Sequence, residues 1–353
     1  MIDVVVPVYR GEAATRRCLE SVLASPQHTR FELVVVDDAS PEPTISAWLD
    51  GLYAAQRITL LRNAANEGFV RSVNRAIALH PGRDVVLLNS DTEVANDWLD
   101  RLAACVGRDA AIATATPFSN QATICSYPFN GWKGGVPGTL GLEALDRLFA
   151  KVNAGQSASI PTGVGFCFYV RRPALQALGG FDAERFGRGY GEENDFCLRA
   201  AEQGWRNVIA ADVFVYHEGA VSFSDERDAR MRKAGELLRE RHPGYDRTIA
   251  EFVAADPLQP FRAAVDDARD SLGGRERAEL RAEAAAGRAM LAEVVAALGQ
   301  ARQLVADRDA ELAKLTAAFH HAEKLALERE AELARIRSSP LLRGLARIAR
   351  SRR

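Results

Sequence analysis

Polar side chains follow each of four short apolar runs in the first ninety residues. The runs are rich in Val, Ile and Leu, as expected of strands that are buried on both faces of a parallel sheet. Ligands of such sheets bind beyond the carboxyl ends of the strands, where these polar groups would meet. An aspartate there can accept hydrogen bonds from a nucleobase or from ribose hydroxyls, although one such residue alone fits a helix N-cap equally well. The four clusters are residues 7–12, 37–40, 66–69 and 89–93.

A nucleotide diphosphate bound at this edge would need a counter-charge. The sequence has neither the GxGxxG of dinucleotide-binding folds nor the GxxxxGK[ST] of P-loop proteins. A divalent metal, Mg²⁺ or Mn²⁺, would therefore hold the diphosphate, and both ions prefer hard oxygen ligands. Asp91 follows the fourth strand, where such a ligand is needed.

The elements that position these groups alternate between strand and helix. Strands are predicted at 2–8, 31–36, 58–61 and 84–88, and helices at 11–25, 43–54, 68–80 and 95–106. This alternation is typical of βαβ units and a parallel sheet. Residues 117–141 are rich in Gly and Pro and predict a long loop over a site or a mixed-sheet insertion. Further on we expect strands at 163–170 and 208–216 and helices at 191–203 and 225–241.

Length and composition restrict the class of protein. The 353 residues are 47% apolar and carry a formal net charge of −2. A sizeable core is therefore available, and nucleic acid is not an expected partner. The five cysteines are scattered without a CxxC pair, which fits a reducing compartment better than a zinc site or a disulfide framework. With no signal peptide or membrane span predicted, we expect a cytoplasmic protein.

Nine short motifs, taken in order, resemble those of family 2 glycosyltransferases of the GT-A fold. The resemblance covers roughly residues 1–240 and implies an α/β domain with a mixed, mainly parallel sheet flanked by helices. Aromatic residues and prolines become rare after Phe261, so we place this domain at 1–261. Each motif is weak alone, and the order makes the match specific. The motifs are VVVPVYRG at 4–11, VVVDDAS at 34–40, NEGFVRSVN at 66–74, LLNSDTEV at 87–94, PTGVGFCFYVRR at 161–172, LGGFD at 178–182, GYGEENDFCLRA at 189–200, GW at 204–205 and VYHEGAVSF at 215–223.

The resemblance implies a nucleotide-sugar donor site at the strand ends. Pro7, Tyr9 and Asp38 would line the nucleoside pocket. Asp38 would face a uracil or thymine, which implies a UDP- or dTDP-sugar. Glu12 and Arg71 would lie nearby.

The resemblance also implies a metal site. The family's DxD motif falls on Asn89, Ser90 and Asp91, so Asp91 is the acid left at the motif to bind Mg²⁺ or Mn²⁺. A histidine late in the domain, His217, would approach the same metal or the diphosphate. A structural role is the alternative for a single histidine that follows a strand.

The family's acid pair falls on Glu192 and Glu193. A positioned carboxylate can remove the proton of an acceptor hydroxyl as it attacks opposite the leaving nucleotide, so that configuration inverts. Glu193 is the expected base, with Glu192 or Asp195 as alternatives, and acids are favourable at a helix N-terminus in any case. The implied enzyme is a hexosyl- or deoxyhexosyltransferase that extends a glycan or lipid-linked acceptor in bacterial surface polysaccharide synthesis. The rival function is a non-catalytic sugar-nucleotide-binding scaffold, which Asn89 favours.

The C-terminal part predicts a different architecture. Residues 262–337 form one long helical pattern with an apolar heptad repeat, which predicts a coiled coil and a homo-oligomer; a single or back-folded helix is the alternative. Residues 338–353 carry five arginines and no acid. Such a basic amphipathic tail can bind the anionic inner face of the cell membrane, or it can be a solvated end.

Overall fold

The computed structural model describes residues 1–138, 140–219 and 224–271, and beyond them residues 290, 295–305, 307–316, 318–319, 321–325 and 329. The chain divides into two compact units, Met1–Gly287 and Arg288–Arg353. The strands and helices given below all belong to the first unit.

Four parallel strands and three helices build the first half of the sheet. These elements are β1 (Ile2–Val8), α1 (Glu12–Ala24), β2 (Phe31–Asp37), α2 (Pro43–Ala54), β3 (Thr59–Arg62), α3 (Phe69–Ile77) and β4 (Asp84–Leu88). Strand β1 is central and pairs with β2 on one side and β4 on the other. Because all four strands run the same way, their polar carboxyl ends reach one edge of the sheet.

The second half adds antiparallel strands and most of the helices. Its elements are β5 (Thr92–Glu93), α4 (Trp98–Gly107), β6 (Ile112–Phe118), α5 (Leu142–Val152), β7 (Ser157–Ser159), β8 (Cys167–Val170), α6 (Arg172–Leu178), α7 (Ala183–Phe186), α8 (Glu192–Glu202), β9 (Arg206–Phe214), β10 (Tyr216–His217), α9 (Ser224–Arg241), α10 (Tyr245–Ala255) and α11 (Gln259–Asp270). A short 3₁₀ helix, Thr123–Cys125, lies between β6 and α5.

The main sheet has the strand order β3-β2-β1-β4-β8-β6-β9-β7. Strand β8 runs antiparallel between β4 and β6, whereas β6 and β9 are parallel. Strands β5 and β10 form a separate antiparallel pair above the sheet's carboxyl edge. The expected mixed, mainly parallel sheet with flanking helices is confirmed.

Both faces of the sheet are covered by helices. Val4 and Val6 belong to a core cluster on one face, and Val5 belongs to the cluster on the other. All three side chains are fully buried. The near-continuous valine run of β1 thus has its physical reason, because alternate side chains enter two separate cores.

Helix α11 packs onto the sheet domain and ties down the loop that follows β6. Val265 is fully buried and Arg262 is 3% exposed. The Arg262 guanidinium donates to the carbonyl oxygens of Ser126 and Ile124 at 2.8 and 2.9 Å. The boundary predicted after residue 261 falls inside this helix.

The C-terminal predictions fall largely beyond these elements. Residues 295–305 and 307–316 are helical, but a coiled coil over 262–337 stays a prediction. The basic tail, 338–353, lies outside the described residues. Within the described part of the chain, no helix combines the length and the apolar character that a membrane span needs.

Candidate active site

Asp38 shapes the turn that begins α3. Its carboxylate is 4% exposed and accepts hydrogen bonds from the side-chain amide of Asn63 at 2.7 Å and from the backbone N–H of Glu67 and Gly68 at 2.8 and 2.9 Å. Gly68 has a φ of +86°, and a Cβ there would lie 2.9 Å from the Cα of Arg188. Only glycine therefore allows this turn to touch the loop that precedes α8.

The other predicted donor residues lie around the same edge. Pro7 is in register with Val36 on β2, and Tyr9 lies under the guanidinium of Arg10 at 5.1 Å. Both Pro7 and Tyr9 are half-buried, whereas Arg71 on α3 is exposed.

Glu12 begins α1 and is held by neighbouring groups. It pairs with Arg16 at 2.7 Å and accepts a hydrogen bond from the Thr44 hydroxyl. The Thr44 hydroxyl and then Arg16 lower the pKa of Glu12. Glu42 caps the same helix from outside, since its carboxylate accepts the backbone N–H groups of Gly11 and Glu12, each at 3.1 Å.

Asp91 and His217, 126 positions apart in the sequence, come together across the β5–β10 pair. His217 is in register with Thr92, and its Nε2 lies 3.4 Å from the Asp91 carboxylate. Its Nδ1 lies 2.8 Å from the carbonyl oxygen of Gln121 and donates to it. Burial raises the pKa of Asp91, but the hydrogen bond and charge of His217 outweigh it, so the pKa is lowered.

The donor set at this pair fits a divalent cation. The carbonyl of Gln121 holds a proton on Nδ1, so a cation that displaced the Nε2 proton would meet a lone pair beside an ionised carboxylate, as in many metal sites. Asn89 and Ser90 are half-buried in the same turn. The predicted metal residues are thus brought together.

A second group with metal-ligand chemistry lies at the opposite end of β1. Ligand atoms of Asp3, Glu32 and His80 all lie within 4.8 Å of one another. Arg83 already contacts both carboxylates, at 2.9 and 2.6 Å. The geometry admits a cation, but the Arg83 charge already compensates these acids, and the group is remote from the carboxyl edge. Sequence analysis did not single out this group.

Glu192 and Glu193 begin α8 as a buried acid pair. Glu192 is 5% exposed and Glu193 is half-buried. The Oε2 atom of each is buried and has no hydrogen-bond partner among the described residues. Burial and the nearby Glu193 raise the pKa of Glu192 well above its usual value. Burial also raises the pKa of Glu193, but backbone N–H groups, including those of Gly165 and Gly191, oppose that rise.

The two acids differ in how strongly their charged forms are stabilised. More backbone N–H groups favour a charged Glu193 than a charged Glu192. Of the two carboxyls, Glu193 is therefore the better placed to ionise.

Asp195 lies one turn further on and has no exposed surface. Its Oδ1 lies 3.0 Å from Nε2 of His242 and 3.1 Å from Arg241. Its Oδ2 accepts from Nε of Arg199 at 2.8 Å. These contacts fasten α8 to the end of α9, and both carboxylate oxygens are engaged.

The loop 162–166 joins the acid pair to the metal pair. A Cβ on Gly165 would lie 3.7 Å from the Glu193 carboxyl carbon. The next residue, Phe166, stacks on the His217 ring at 5.3 Å and accepts the Asn89 backbone N–H at 2.8 Å. One five-residue loop thus contacts the base candidate, the DxD-like turn and the histidine.

Comparison with known families shows to which family the chain belongs. The model of the family described as glycosyl transferase family 2 matches residues 3–179, which is 177 of the 353 residues. The chain belongs to glycosyl transferase family 2. The match ends before Glu192 and His217, so the assignment of these residues rests on the geometry above.

Relatives of this glycosyltransferase include proteins much longer than the chain. It is 24% identical over 287 residues to the uncharacterized protein y4gI of Sinorhizobium fredii, covering 73% of this chain and 30% of that protein. It is 24% identical over 242 residues to the O-antigen biosynthesis protein RfbC of Myxococcus xanthus, covering 64% and 18%. The chain thus spans less than a third of either relative.

The fold of this glycosyltransferase is shared with a solved enzyme structure. The mannosyltransferase PcManGT of Pyrobaculum calidifontis, in complex with GDP-Man and Mn²⁺, superposes with a TM-score of 0.50 and 18% identity. The superposition covers 81% of this chain and 79% of PcManGT.

Several residues that build the candidate site were missed from the sequence. Glu42, Asn63 and Gln121 hold the three turns that carry the predicted residues. Their signal is weak, since each holds its turn through contacts with residues at least 25 positions away.

Proposed function

We propose that the chain is an inverting glycosyltransferase that moves a sugar from a nucleotide-diphosphate donor to a glycan or lipid-linked acceptor. The supporting observation is the loop 162–166, which sets an ionisable, backbone-stabilised Glu193 beside the Asp91–His217 pair. A base and a diphosphate-binding group are needed on either side of a sugar's anomeric carbon.

Glu193 is the proposed base. Its carboxylate takes the proton of the acceptor hydroxyl as that oxygen attacks the anomeric carbon. The bond from the anomeric carbon to the diphosphate oxygen breaks on the opposite face, so configuration inverts. Burial raises the pKa of Glu193, which makes the carboxylate a stronger base than an exposed glutamate. Glu192 keeps its proton and Asp195 fixes the helix.

Asp91 and His217 would hold Mg²⁺ or Mn²⁺. When bound, such an ion supplies the positive charge that stabilises the departing diphosphate. The fold relative PcManGT was solved with Mn²⁺ and a nucleotide sugar, which supports this expectation. The side chains of Asn89 and Ser90, in the same turn, would contact the donor.

Pro7, Tyr9, Glu12 and Arg71 would border the donor's nucleoside. Asp38 Oδ2 accepts one of the hydrogen bonds described above and can accept another. A pyrimidine N–H is a fitting donor, so we propose a UDP- or dTDP-sugar.

A role in surface polysaccharide synthesis is supported by the relative named as an O-antigen biosynthesis protein. We place this step of the synthesis in the cytoplasm, at the inner face of the cell membrane, where the basic tail 338–353 would attach. The acceptor would be a hydroxyl of a growing glycan or of a lipid-linked sugar.

The deciding experiment is a panel of UDP-, dTDP- and GDP-sugars, incubated with the full chain and Mn²⁺ or Mg²⁺. Release of nucleoside diphosphate from one or more donors is expected, with hydrolysis as the reaction when no acceptor is present. Loss of this release in Glu193→Gln would show that it comes from this site. Donor binding without any release, with cell extract supplied as a source of acceptor, would favour the non-catalytic scaffold.

A further inference from the structure

A small basic cavity lies between α9 and the loop that leads into α8. Its volume is about 270 Å³. Drug-sized ligands fill pockets of about 300 to 1,000 Å³, so this one suits a small group rather than a whole nucleotide sugar. We call it the basic pocket, and its charged lining residues are Glu184, Arg185, Arg188, Arg230 and Lys233.

The charge of the basic pocket is positive. Four basic side chains face one carboxylate in its lining. Arg185 also lies 3.6 Å from Asp182, which offsets part of its charge. Arg188 and Lys233 are exposed at the pocket. Several cationic side chains around a small volume can bind phosphate.

The basic pocket adjoins the residue that precedes α8. A Cβ on Gly191 would lie 3.1 Å from Phe186 and 3.3 Å from Ala234, and both of these residues line the pocket. Gly191 directly precedes the acid pair Glu192 and Glu193. The pocket therefore lies next to the start of the helix that carries the proposed base.

The basic pocket also adjoins the donor side. The backbone of Arg188 lies against Gly68, in the turn that Asp38 holds. The loop 187–191 thus runs from the donor's nucleoside edge to the base. An acceptor that lies along this loop would have its hydroxyl on the side of Glu193.

We propose that the basic pocket binds a phosphate group carried by the acceptor. This inference rests on the proposed function, which supplies the acceptor, and it narrows that acceptor to a phosphate-bearing molecule. The phosphate lies in the pocket while the hydroxyl to be glycosylated reaches Glu193. Such a phosphate can belong to a lipid diphosphate carrier or to a phosphorylated glycan.

Binding to the full-length chain tests the proposal without turnover. The probes are inorganic phosphate, glucose 1-phosphate and octyl diphosphate, titrated calorimetrically in the absence of divalent metal, with octanol as the uncharged control. Arg188→Gln/Lys233→Gln should weaken binding of the phosphorylated probes about tenfold, because two charges are lost. Arg232→Gln is the matched control, since Arg232 neighbours Lys233 on α9 but does not line the pocket.

The order of the affinities distinguishes the two sources of the phosphate, and the other outcomes test the pocket and the transferase activity separately. Tighter binding of octyl diphosphate than of glucose 1-phosphate supports a lipid-linked acceptor, and the reverse order supports a phosphorylated glycan. Unchanged binding in the double variant would overturn the proposal. An equal loss in affinity for UDP with Mn²⁺ would also overturn it, because the pocket would then belong to the donor. Failure of the sugar-nucleotide panel would refute the transferase activity instead.

Discussion

Replacing Glu193 by Gln tests the proposed base while it keeps the size of the side chain. Loss of general-base help should lower turnover by about 10² to 10⁴-fold. At 1.36 kcal/mol for each tenfold change, this adds about 2.7 to 5.4 kcal/mol to the barrier. Donor affinity should stay near that of the parent, because Glu193 contacts the 162–166 loop rather than the turn held by Asp38. The assay is the initial rate of nucleoside diphosphate release, with donor affinity measured by calorimetry.

Glu192→Gln is the matched control from the next position. Burial and Glu193 raise the pKa of Glu192 well above its usual value, which favours the neutral carboxyl that Gln imitates. Turnover should stay close to the parental rate. The turnover of the parent should fall at acidic pH, since Glu193 must be ionised to act as the base and its pKa is raised above 4.5. That fall should occur at a higher pH than an exposed glutamate would give, and Glu192→Gln should keep it.

Asp195→Asn separates a structural acid from a catalytic one. Asp195 has no exposed surface and pairs with Arg199, Arg241 and His242, so the substitution should cost about 3 kcal/mol of unfolding free energy and lower the melting temperature. Turnover per folded molecule should persist. The reasoning is refuted if Glu193→Gln remains active while Glu192→Gln or a folded Asp195→Asn loses turnover.

Three further perturbations test other parts of the structure. Asp91→Asn should lower turnover and weaken its dependence on Mn²⁺, and a chelator should stop the parent; chelator-resistant activity would exclude the metal role. Gly68→Ala should cost about 1 to 3 kcal/mol in thermal melts, because its φ is +86° and a Cβ meets facing backbone at 2.9 Å. Gly51→Ala, in an open part of α2, should be neutral or stabilising, and equal melting of the two variants would contradict the clash. A chain ending at 261 should melt well below one ending at 287, since it lacks the two hydrogen bonds from Arg262, worth about 1.5 to 3 kcal/mol each for a charged donor; equal melting would show that α11 is dispensable. Light scattering of the 287-residue chain against the full chain checks the predicted self-association.

The parallel half of the fold could be predicted closely because its signal is local. The strands at 2–8 and 84–88 and the helix at 43–54 match the structure to the residue. Strand β6 was missed because its sequence, IATATPF, alternates Ala with Thr. Thr114 is buried there because its hydroxyl donates to Asn207 at 2.8 Å, a partner that lies 93 positions away. Such a long-range contact leaves no trace in a local pattern.

Helix α5 was not predicted, although its sequence has an amphipathic pattern. Its apolar residues, Leu142, Leu145, Leu148 and Phe149, lie on one helical face. A long loop or an insertion was predicted from the Gly- and Pro-rich stretch just before it, and no helix was predicted after that stretch.

The three acids of α8 could be found from the sequence, but only the family resemblance ranked Glu193 first among them. Glu192, Glu193 and Asp195 lie within one turn and have the same chemistry. Their roles differ through partners from elsewhere, above all His242 at the end of α9, which is 47 positions from Asp195. The pairing of Asp91 with His217 was expected only through the family's motif order, and the β5–β10 pair gives its physical basis.

The arginines of α11 set an order for completing the domain during synthesis. Arg262 donates to the carbonyls of Ile124 and Ser126, and Arg269 donates to that of Pro137. Those acceptors leave the ribosome 132 to 138 positions ahead of their donors. At about 5 to 20 residues per second, the carbonyls wait on the order of ten seconds, solvated by water. A ribosome stalled before residue 262 therefore presents a sheet whose loop after β6 is still unfastened.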